Sequence, residues 1–462
     1  MVAALGGLAR RLGRACLRSA CSRRWASTTT TTATKPSHPA NPSPSPSPDH
    51  ITLLGTAYPR DRWTNVSPSI QAKLGRGLLT VPNHPLRIIK LRIEQYLNET
   101  RPGTDPLLAP RAFAIVDSLS PVVTVQQNFD SLLVPADHVS RQPRDTYYVN
   151  QNQVLRCHTS AHQVQTLREG HDAVLIAGDV FRRDEIDASH YPAFHQMEGI
   201  RLFSHDTLAK YNPEIAGSPI FEQAGSPTYG ETAAKQKSHT ALAAAVVERD
   251  LKATLDGLAR HLFGSEIQVR WVDAYFPFTH PSWEMEVLFH GKWLEVLGCG
   301  VVQQQILSNA GVENKLGWAF GLGLERLAMV LFGIPDIRLF WSTDSRFVSQ
   351  FSEAAALNPG ANAVKFQEFS RFLSRSKDTT FWLPSSGFED NDFFELVRSI
   401  ASDLVENVQM IDSFVHPKTG RTSKCFRVTY RSYERDLSHE EVNLLHNEIR
   451  NRLAADLKVE LR

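Results

Sequence analysis

Two arginines in apolar company are the first residues of this chain that could do chemistry, and the chemistry they fit is the binding of an anion. Arg326 lies in "GLGLERLAMVLFGI" (321–334), between glycines and a run of aliphatic side chains. A helix here is apolar on almost every side, with Leu324, Leu327, Ala328 and Leu331 on one face and Arg326 opposite, beside Met329 and Val330. A guanidinium buried there without a counter-charge costs on the order of 3–5 kcal/mol, so a carboxylate or a bound anion has to meet it. A structural ion pair and an anion site are both open; the glycines just upstream let a ligand approach the backbone and favour the anion. The pattern is no familiar nucleotide cradle, because Arg326 replaces the third glycine of GxGxxG and no Lys-Ser/Thr of a P-loop follows.

The second arginine cluster is in "GDVFRRDEIDASHYPAFHQMEG". Arg182, Arg183, Asp184 and Glu185 follow an apolar strand, His190 and His195 come next, and the returning strand carries Phe194, Gln196 and Glu198 at alternate positions. Many such loops are solvated hairpin tips. Acceptors and an aromatic ring on one strand face suit a small zwitterion better than a core. "RCHTSAHQ" adds His158, Ser160 and Gln163 at a helix start, where hydroxyl and amide groups either cap the chain or hold a ligand. "YFPFTHP" brings Phe276 and Phe278 to one side of a strand end, as core or as the wall of an apolar pocket.

Holding these residues together takes a sheet with flanking helices. "HPLRIIKLRIEQYL" repeats Leu86, Ile89, Ile93 and Leu97 at near-helical spacing, and "SHTALAAAVVERDLKATLDGLARHLFG" carries a stripe of Leu251, Leu255, Leu258 and Leu262 that Gly264 stops. "SWEMEVLFHGKWLEVL" alternates apolar and polar residues about "HGK", which predicts an antiparallel hairpin and argues against a doubly wound parallel sheet. Beyond a break near "ALNPGANAV" the order becomes strand ("TTFWLP"), helix, strand ("VQMIDSFVH"), strand ("SKCFRVTYRSY"), helix and strand ("KVEL"), the split ferredoxin-like plan. Its last helix opens with Ser438 and Glu441 at capping-box spacing. The fold class is therefore α+β.

Composition leaves the partner to local features. With 462 residues, 42% of them hydrophobic, and 50 basic against 49 acidic side chains for a net charge of +1, no global field draws the chain to nucleic acid or membrane. No run of 18 apolar residues is present, so no membrane span is expected. Cys16, Cys21, Cys157, Cys299 and Cys425 form no CxxC pair, which predicts reduced thiols and no zinc site. Residues 1–48 carry Arg10, Arg11, Arg14, Arg18, Arg23, Arg24 and Lys35 without one acid, and read as a mitochondrial transit peptide with a disordered Ser/Thr/Pro spacer.

Taken together, "VFRRDEIDASHYPAFHQMEG" and "GWAFGLGLERLAM" resemble the second and third signatures of class II aminoacyl-tRNA synthetases, and with "HTSAHQ" and "FPF" the chain is similar to the phenylalanyl-tRNA synthetase family, its single-chain mitochondrial form in particular. The resemblance implies an antiparallel-sheet catalytic domain over residues 49–355, a linker at 356–364, and a ferredoxin-fold anticodon-binding domain at 365–462. It implies activation of phenylalanine with ATP to the adenylate and transfer to the 3′-terminal adenosine of tRNA(Phe) in the mitochondrial matrix, by a monomer. Arg182 and Arg326 are then the catalytic arginines, on the α- and γ-phosphates. Asp184, His190 and Phe194 complete the ATP site, and Glu295 is the candidate contact for the Mg²⁺ that accompanies ATP. His158, Ser160, Gln163, Gln196 and Glu198 surround the amino acid, with Glu198 on its ammonium, while Phe276 and Phe278 wall its side chain. Asp184 departs from the class pattern, which usually has Glu there, and "DHVSR" leaves Arg141 without an assigned role.

For tRNA, Lys418, Arg421, Lys424, Arg427 and Arg431 are the expected contacts, with Phe426, Val428 and Tyr430 turned to the helices and Arg427, Thr429 and Arg431 outward. A pocket walled by phenylalanines rejects an added hydroxyl only weakly, so tyrosine is the expected error, and no segment is left for an editing domain that would clear it.

Overall fold

A computed structural model describes residues 49–98, 113–357, 364–370 and 372–462; the basic segment 1–48 and most of the expected linker lie outside the described residues. Helix α1 (Pro85–Asn98) begins on a proline, whose missing N–H costs nothing there, and buries Leu86, Ile89, Ile93 and Leu97 as their spacing predicts. Strand β1 (Ala114–Val116) is followed by a small three-stranded sheet and by α2 (Gln163–Arg168). Then come β2 (Ala173–Phe181), β3 (Ala193–Phe203) and the long α3 (Ala241–Phe263), which Thr240 caps by accepting from the Ala243 N–H and which ends at Gly264 with φ +103°. Strands β4 (Val269–Phe276), β5 (Thr279–Phe289), β6 (Lys292–Val302) and β7 (Leu316–Gly323) lead into α4 (Leu324–Phe332).

These strands form one seven-stranded sheet in the order β1-β2-β3-β7-β6-β5-β4. All pairs are antiparallel except β1 against β2, a parallel edge that the alternation pattern alone did not indicate. The β5–β6 turn is His290–Gly291, both at positive φ (48° and 76°), which suits the twist of a two-residue hairpin loop. Helices α1, α3 and α4 cover one face, where Met197, Trp318, Phe320, Leu251 and Leu255 share a core. The opposite face carries the candidate site.

The C-terminal residues form β8 (Arg375–Trp382), α5 (Asp390–Ala401), β9 (Val405–Val415), β10 (Thr422–Tyr430), α6 (His439–Asp456) and β11 (Glu460–Leu461), with strand order β9-β10-β8-β11. Phe426, Val428 and Tyr430 are fully buried beneath the two helices, as the alternation predicts. Ser438 caps α6 by accepting from the Glu441 N–H (3.1 Å), and the Glu441 carboxylate pairs with Arg435. Among the described residues no helix is long and apolar enough to cross a membrane, and Cys157, Cys299 and Cys425 are free.

Candidate active site

The register of the sheet builds the site. On the face away from the helices, Gln196 of β3 stands between Gly178 of β2 and Gly323 of β7. One row along, Glu198 is paired with Gly321, Gly321 with Gly298 of β6, and Gly298 with Glu284 of β5. Side chains on one face recur every second residue, so glycines two apart leave that face bare. A Cβ added at Gly321 or Gly323 would meet no protein atom within 4 Å, so this floor is open to a ligand. Gly298 serves otherwise: the Phe276 ring lies across it, 2.7 Å from where a Cβ would stand.

Glu198 is the centre of the amino-acid side. It is 2% exposed and accepts from Ser160 Oγ, from Gln163 Nε2 at 2.5 Å and from Thr159 Oγ1 at 3.5 Å. Burial pushes its carboxyl up to about 7, against the smaller downward pull of those hydrogen bonds. Ser160 therefore holds Glu198 and does not cap the chain; the single turn Thr159–His162 has no side-chain cap bond at His158. His158 is driven down to about 3 by burial and the nearby Arg182 charge, so it is neutral, and it lies against Phe278 (6.2 Å between rings). Phe276 and Phe278 stack at 5.8 Å and 10°. Around this pocket three buried polar atoms, His158 Nδ1, Gln163 Oε1 and Gln196 Oε1, have no hydrogen-bond partner among the described residues.

The two arginines flank the floor. Arg182 donates from Nε to the Cys157 carbonyl (2.8 Å) and lies over the Phe194 ring at 5.2 Å. Arg326 corrects the sequence reading in one respect: it is not buried, its side chain being 31% exposed. Leu324, Leu327, Ala328 and Leu331 of α4 are buried, whereas Arg326, Met329 and Val330 are only partly so, because the helix presents that side to the cleft. Its guanidinium is met by a carboxylate, Glu295 Oε1 at 3.2 Å. Glu284 lies nearby with its carboxyl raised to about 7 by burial and by the charges of Glu295 and Glu286, which Arg326 partly offsets. Glu325, which the sequence reading passed over, is 2% exposed and accepts from the His195 backbone N–H (2.8 Å) and from His195 Nδ1 (2.7 Å), tying the first turn of α4 to β3.

The loop after Arg182 is held by the C-terminal domain. Arg398 of α5 donates to the Asp184 carbonyl (2.7 Å), Val408 N–H to the Ile186 carbonyl (2.9 Å), and Ile186 is buried in that domain's core. Arg398 also pairs with Glu395 (2.6 Å), which accepts from Tyr147 of the catalytic side (2.8 Å). His190, expected at the nucleotide, is bonded to Asp187 (2.9 Å); against burial, which opposes it, that bond and the charges of Asp184, Asp187 and Glu185 raise its imidazole to about 9. It lines a cavity of about 20 Å³ between the domains with Lys73, Tyr191, Arg338 and Asp403. Arg141 donates to Asp130 and to the Val134 carbonyl (both 2.6 Å), a structural post.

The basic residues expected to meet RNA are mostly matched within the chain. Lys424 pairs with Asp390, Arg427 with Asp378 directly across the β8–β10 ladder, Arg431 with Glu406 and Glu368, and Arg421 with Glu460. Arg431 does not simply face outward, since its side chain lies over Tyr433 near the junction. The same sheet face shows what the charge count missed. Trp382 and Phe414 share a row on either side of Ser423, with His416 about 6 Å from both rings (6.0 and 6.3 Å). Arg421 and Arg462 lie over Trp382 at 5.1 and 5.2 Å.

Comparison with known proteins fits this geometry. The family described as tRNA synthetases class II core domain (F) matches residues 85–211 and 235–351, and the ferredoxin-fold anticodon binding domain matches 370–462. The chain is 50% identical over 415 residues to the mitochondrial phenylalanine–tRNA ligase of Mus musculus, covering 89% of this chain and 88% of that one. It is 46% identical over 433 residues to a protein of Drosophila melanogaster named probable mitochondrial phenylalanine–tRNA ligase, covering 90% and 93%. The chain belongs to the mitochondrial phenylalanine–tRNA ligase family, built on a class II synthetase core with a ferredoxin-fold anticodon-binding domain.

Proposed function

We propose that this phenylalanine–tRNA ligase works in the mitochondrial matrix as a monomer, joining phenylalanine to ATP on the glycine-floored face and passing it to the 3′-terminal adenosine of tRNA(Phe). The observation that carries the reading is Glu198: a buried carboxylate held by three neutral donors, with no cation beside it among the described residues, supports binding of a ligand ammonium. The stacked Phe276–Phe278 pair supports an aromatic side chain on the same ligand.

In the first half-reaction the phenylalanine carboxylate oxygen attacks the α-phosphorus of ATP, an O–P bond forms, and pyrophosphate leaves with the electrons of the broken bond. No proton has to move, so the chain's task is positioning and charge neutralisation. Arg182, braced by Cys157 and Phe194, meets the α-phosphate; Arg326 turns from Glu295 toward the γ-phosphate. Glu295 and Glu284 form a donor set that suits a hard cation, since Glu295 pairs with Arg326 and the neighbouring Glu284 carboxyl is raised by burial and by the Glu295 charge. Mg²⁺ held there with ATP would neutralise phosphate charge. Amino-acid-dependent ATP–pyrophosphate exchange tests the reading: phenylalanine should lead among the twenty amino acids, with tyrosine a weak second at about a hundredfold lower kcat/KM. Exchange led by another amino acid, or none in folded protein, would refute it.

For tRNA, the Trp382–Phe414–His416 face with Arg421 and Arg462 suits an unstacked base and its phosphates better than the ion-paired residues do. Trp382→Ala should weaken tRNA(Phe) binding by about tenfold, as one lost stacking contact does, while exchange stays within twofold. Unchanged tRNA affinity in a filter-binding assay would remove this face from consideration.

A further inference from the structure

The pocket's polar residues sit on one short turn, and something must hold that turn in register with the sheet. Arg156 is 1% exposed, three residues ahead of the turn's first residue, and lies over the one glycine of β2 that could admit it: a Cβ at Gly178 would stand 1.9 Å from Arg156 Nη2. Four of its five N–H groups are engaged. Nε donates to the Asp179 carbonyl (2.7 Å), Nη2 to the Asp179 carboxylate (2.9 Å), and Nη1 to the Leu119 carbonyl (3.3 Å) and to His162 Nε2 (2.9 Å). Arginine has no acceptor, so Nε2 of His162 must carry the lone pair and Nδ1 the proton, which points to Gln165 Oε1 at 3.3 Å. Burial and the Arg156 charge push His162 down to about 4, so it stays a neutral acceptor through the physiological range.

His162 closes the turn Thr159–His162, and Gln163 follows it at the start of α2. Ser160 and Gln163, the two residues that grip Glu198, thus lie on either side of a ring whose position and tautomer Arg156 sets. We propose that Arg156 is a positioning residue for amino-acid recognition: through His162 it fixes the turn that holds the Glu198 carboxylate ready for the ammonium, and Gly178 exists to admit it. The inference rests on the assignment of Glu198 to phenylalanine. The ATP side is anchored separately, since Cys157, which holds Arg182, takes its own bond from N–H to Asn128 Oδ1 (2.9 Å).

The test is a set of exchange kinetics on the whole protein. His162→Leu, which fills the site but accepts nothing, should raise KM for phenylalanine about tenfold, the cost of a lost charge-assisted hydrogen bond, with KM for ATP within twofold. His162→Gln, whose Oε1 can accept from Arg156, should recover most of that loss. Gly178→Ala, which displaces the guanidinium without removing any polar group, should reproduce the His162→Leu split if the protein folds; His162→Leu carries the test if it does not. A KM for phenylalanine unchanged in His162→Leu, a parallel rise in both KM values, or a Gln variant no better than Leu would each overturn the proposal. Absence of phenylalanine-dependent exchange in the unaltered protein would instead sink the functional reading itself.

Discussion

Glu198→Gln is expected to raise KM for phenylalanine by ~10²–10³-fold with little change in melting temperature, because removing one partner of a buried ion pair costs about 3–5 kcal/mol. The fold should tolerate the change, since the amide oxygen can still accept from Gln163 Nε2 and the amide NH2 can donate to the Ser160 hydroxyl, which turns from donor to acceptor. The pH profile gives an independent check. Burial raises the Glu198 carboxyl to about 7, above its ordinary value near 4.5, so the free protein binds a proton there as pH falls through 7. Its ionisation therefore costs native-state stability as pH climbs from about 4.5 to 7, the reverse of an ordinary salt-bridged acid. Phenylalanine binds through its ammonium and needs the ionised form, so its KM should fall as pH rises from 6 to 8, and that slope should vanish in Glu198→Gln. A variant that kept both the affinity and the slope would take Glu198 out of the site.

Arg326→Ala is expected to lower kcat/KM for ATP in the exchange assay by about 10³-fold or more, the range found when a cation that neutralises phosphate charge in a transfer reaction is lost. The loss should exceed that of a missing charge alone, because Arg326 is also what restrains the carboxylates beside it. Without it Glu295 has no counter-charge from α4, and the Glu284 carboxyl, already at about 7, moves further up. Arg326→Lys should recover little, since a point charge cannot replace the bidentate grip of a planar fork on a phosphate. Melting temperature should change little, because the side chain is partly exposed and its partner lies on the cleft surface. Wild-type exchange rates in Arg326→Ala would show that the guanidinium serves only the ion pair with Glu295.

What the sequence could and could not tell follows from the range of each interaction. Periodicity reported the helix stripes at Leu86–Leu97 and Leu251–Leu262, the β5–β6 hairpin and the shared face of Phe194, Gln196 and Glu198, because each is a local pattern that burial enforces. The environment of Arg326 was read as buried because its neighbours in sequence are apolar; its actual surroundings, Glu295 and the cleft, come from a strand pair remote along the chain. The ion pairs of Arg427 and Lys424 likewise depend on cross-strand register and on a helix brought over from residue 390, so a count of basic residues overstated the free charge. The glycine floor did leave a trace: "GLG" at 321–323 places glycines two apart in a strand, which is how a bare sheet face is written, whereas the "GCG" at 298–300 admits the Phe276 ring, the Thr279 side chain and the Pro281 carbonyl instead.

The contact between Ile186 and the C-terminal domain bears on how this chain can be taken apart. Ile186 belongs to the stretch that also carries Arg182, yet its side chain is buried in the core formed by Phe381, Phe393 and Phe426, and its carbonyl bonds to the Val408 N–H. A fragment ending before β8 would keep each signature residue of the catalytic sheet and still expose that isoleucine and free the loop's backbone. The boundary drawn by sequence families is thus not a seam along which the molecule can be cut, and a dissected half would report on its broken edge as much as on the chemistry it retains.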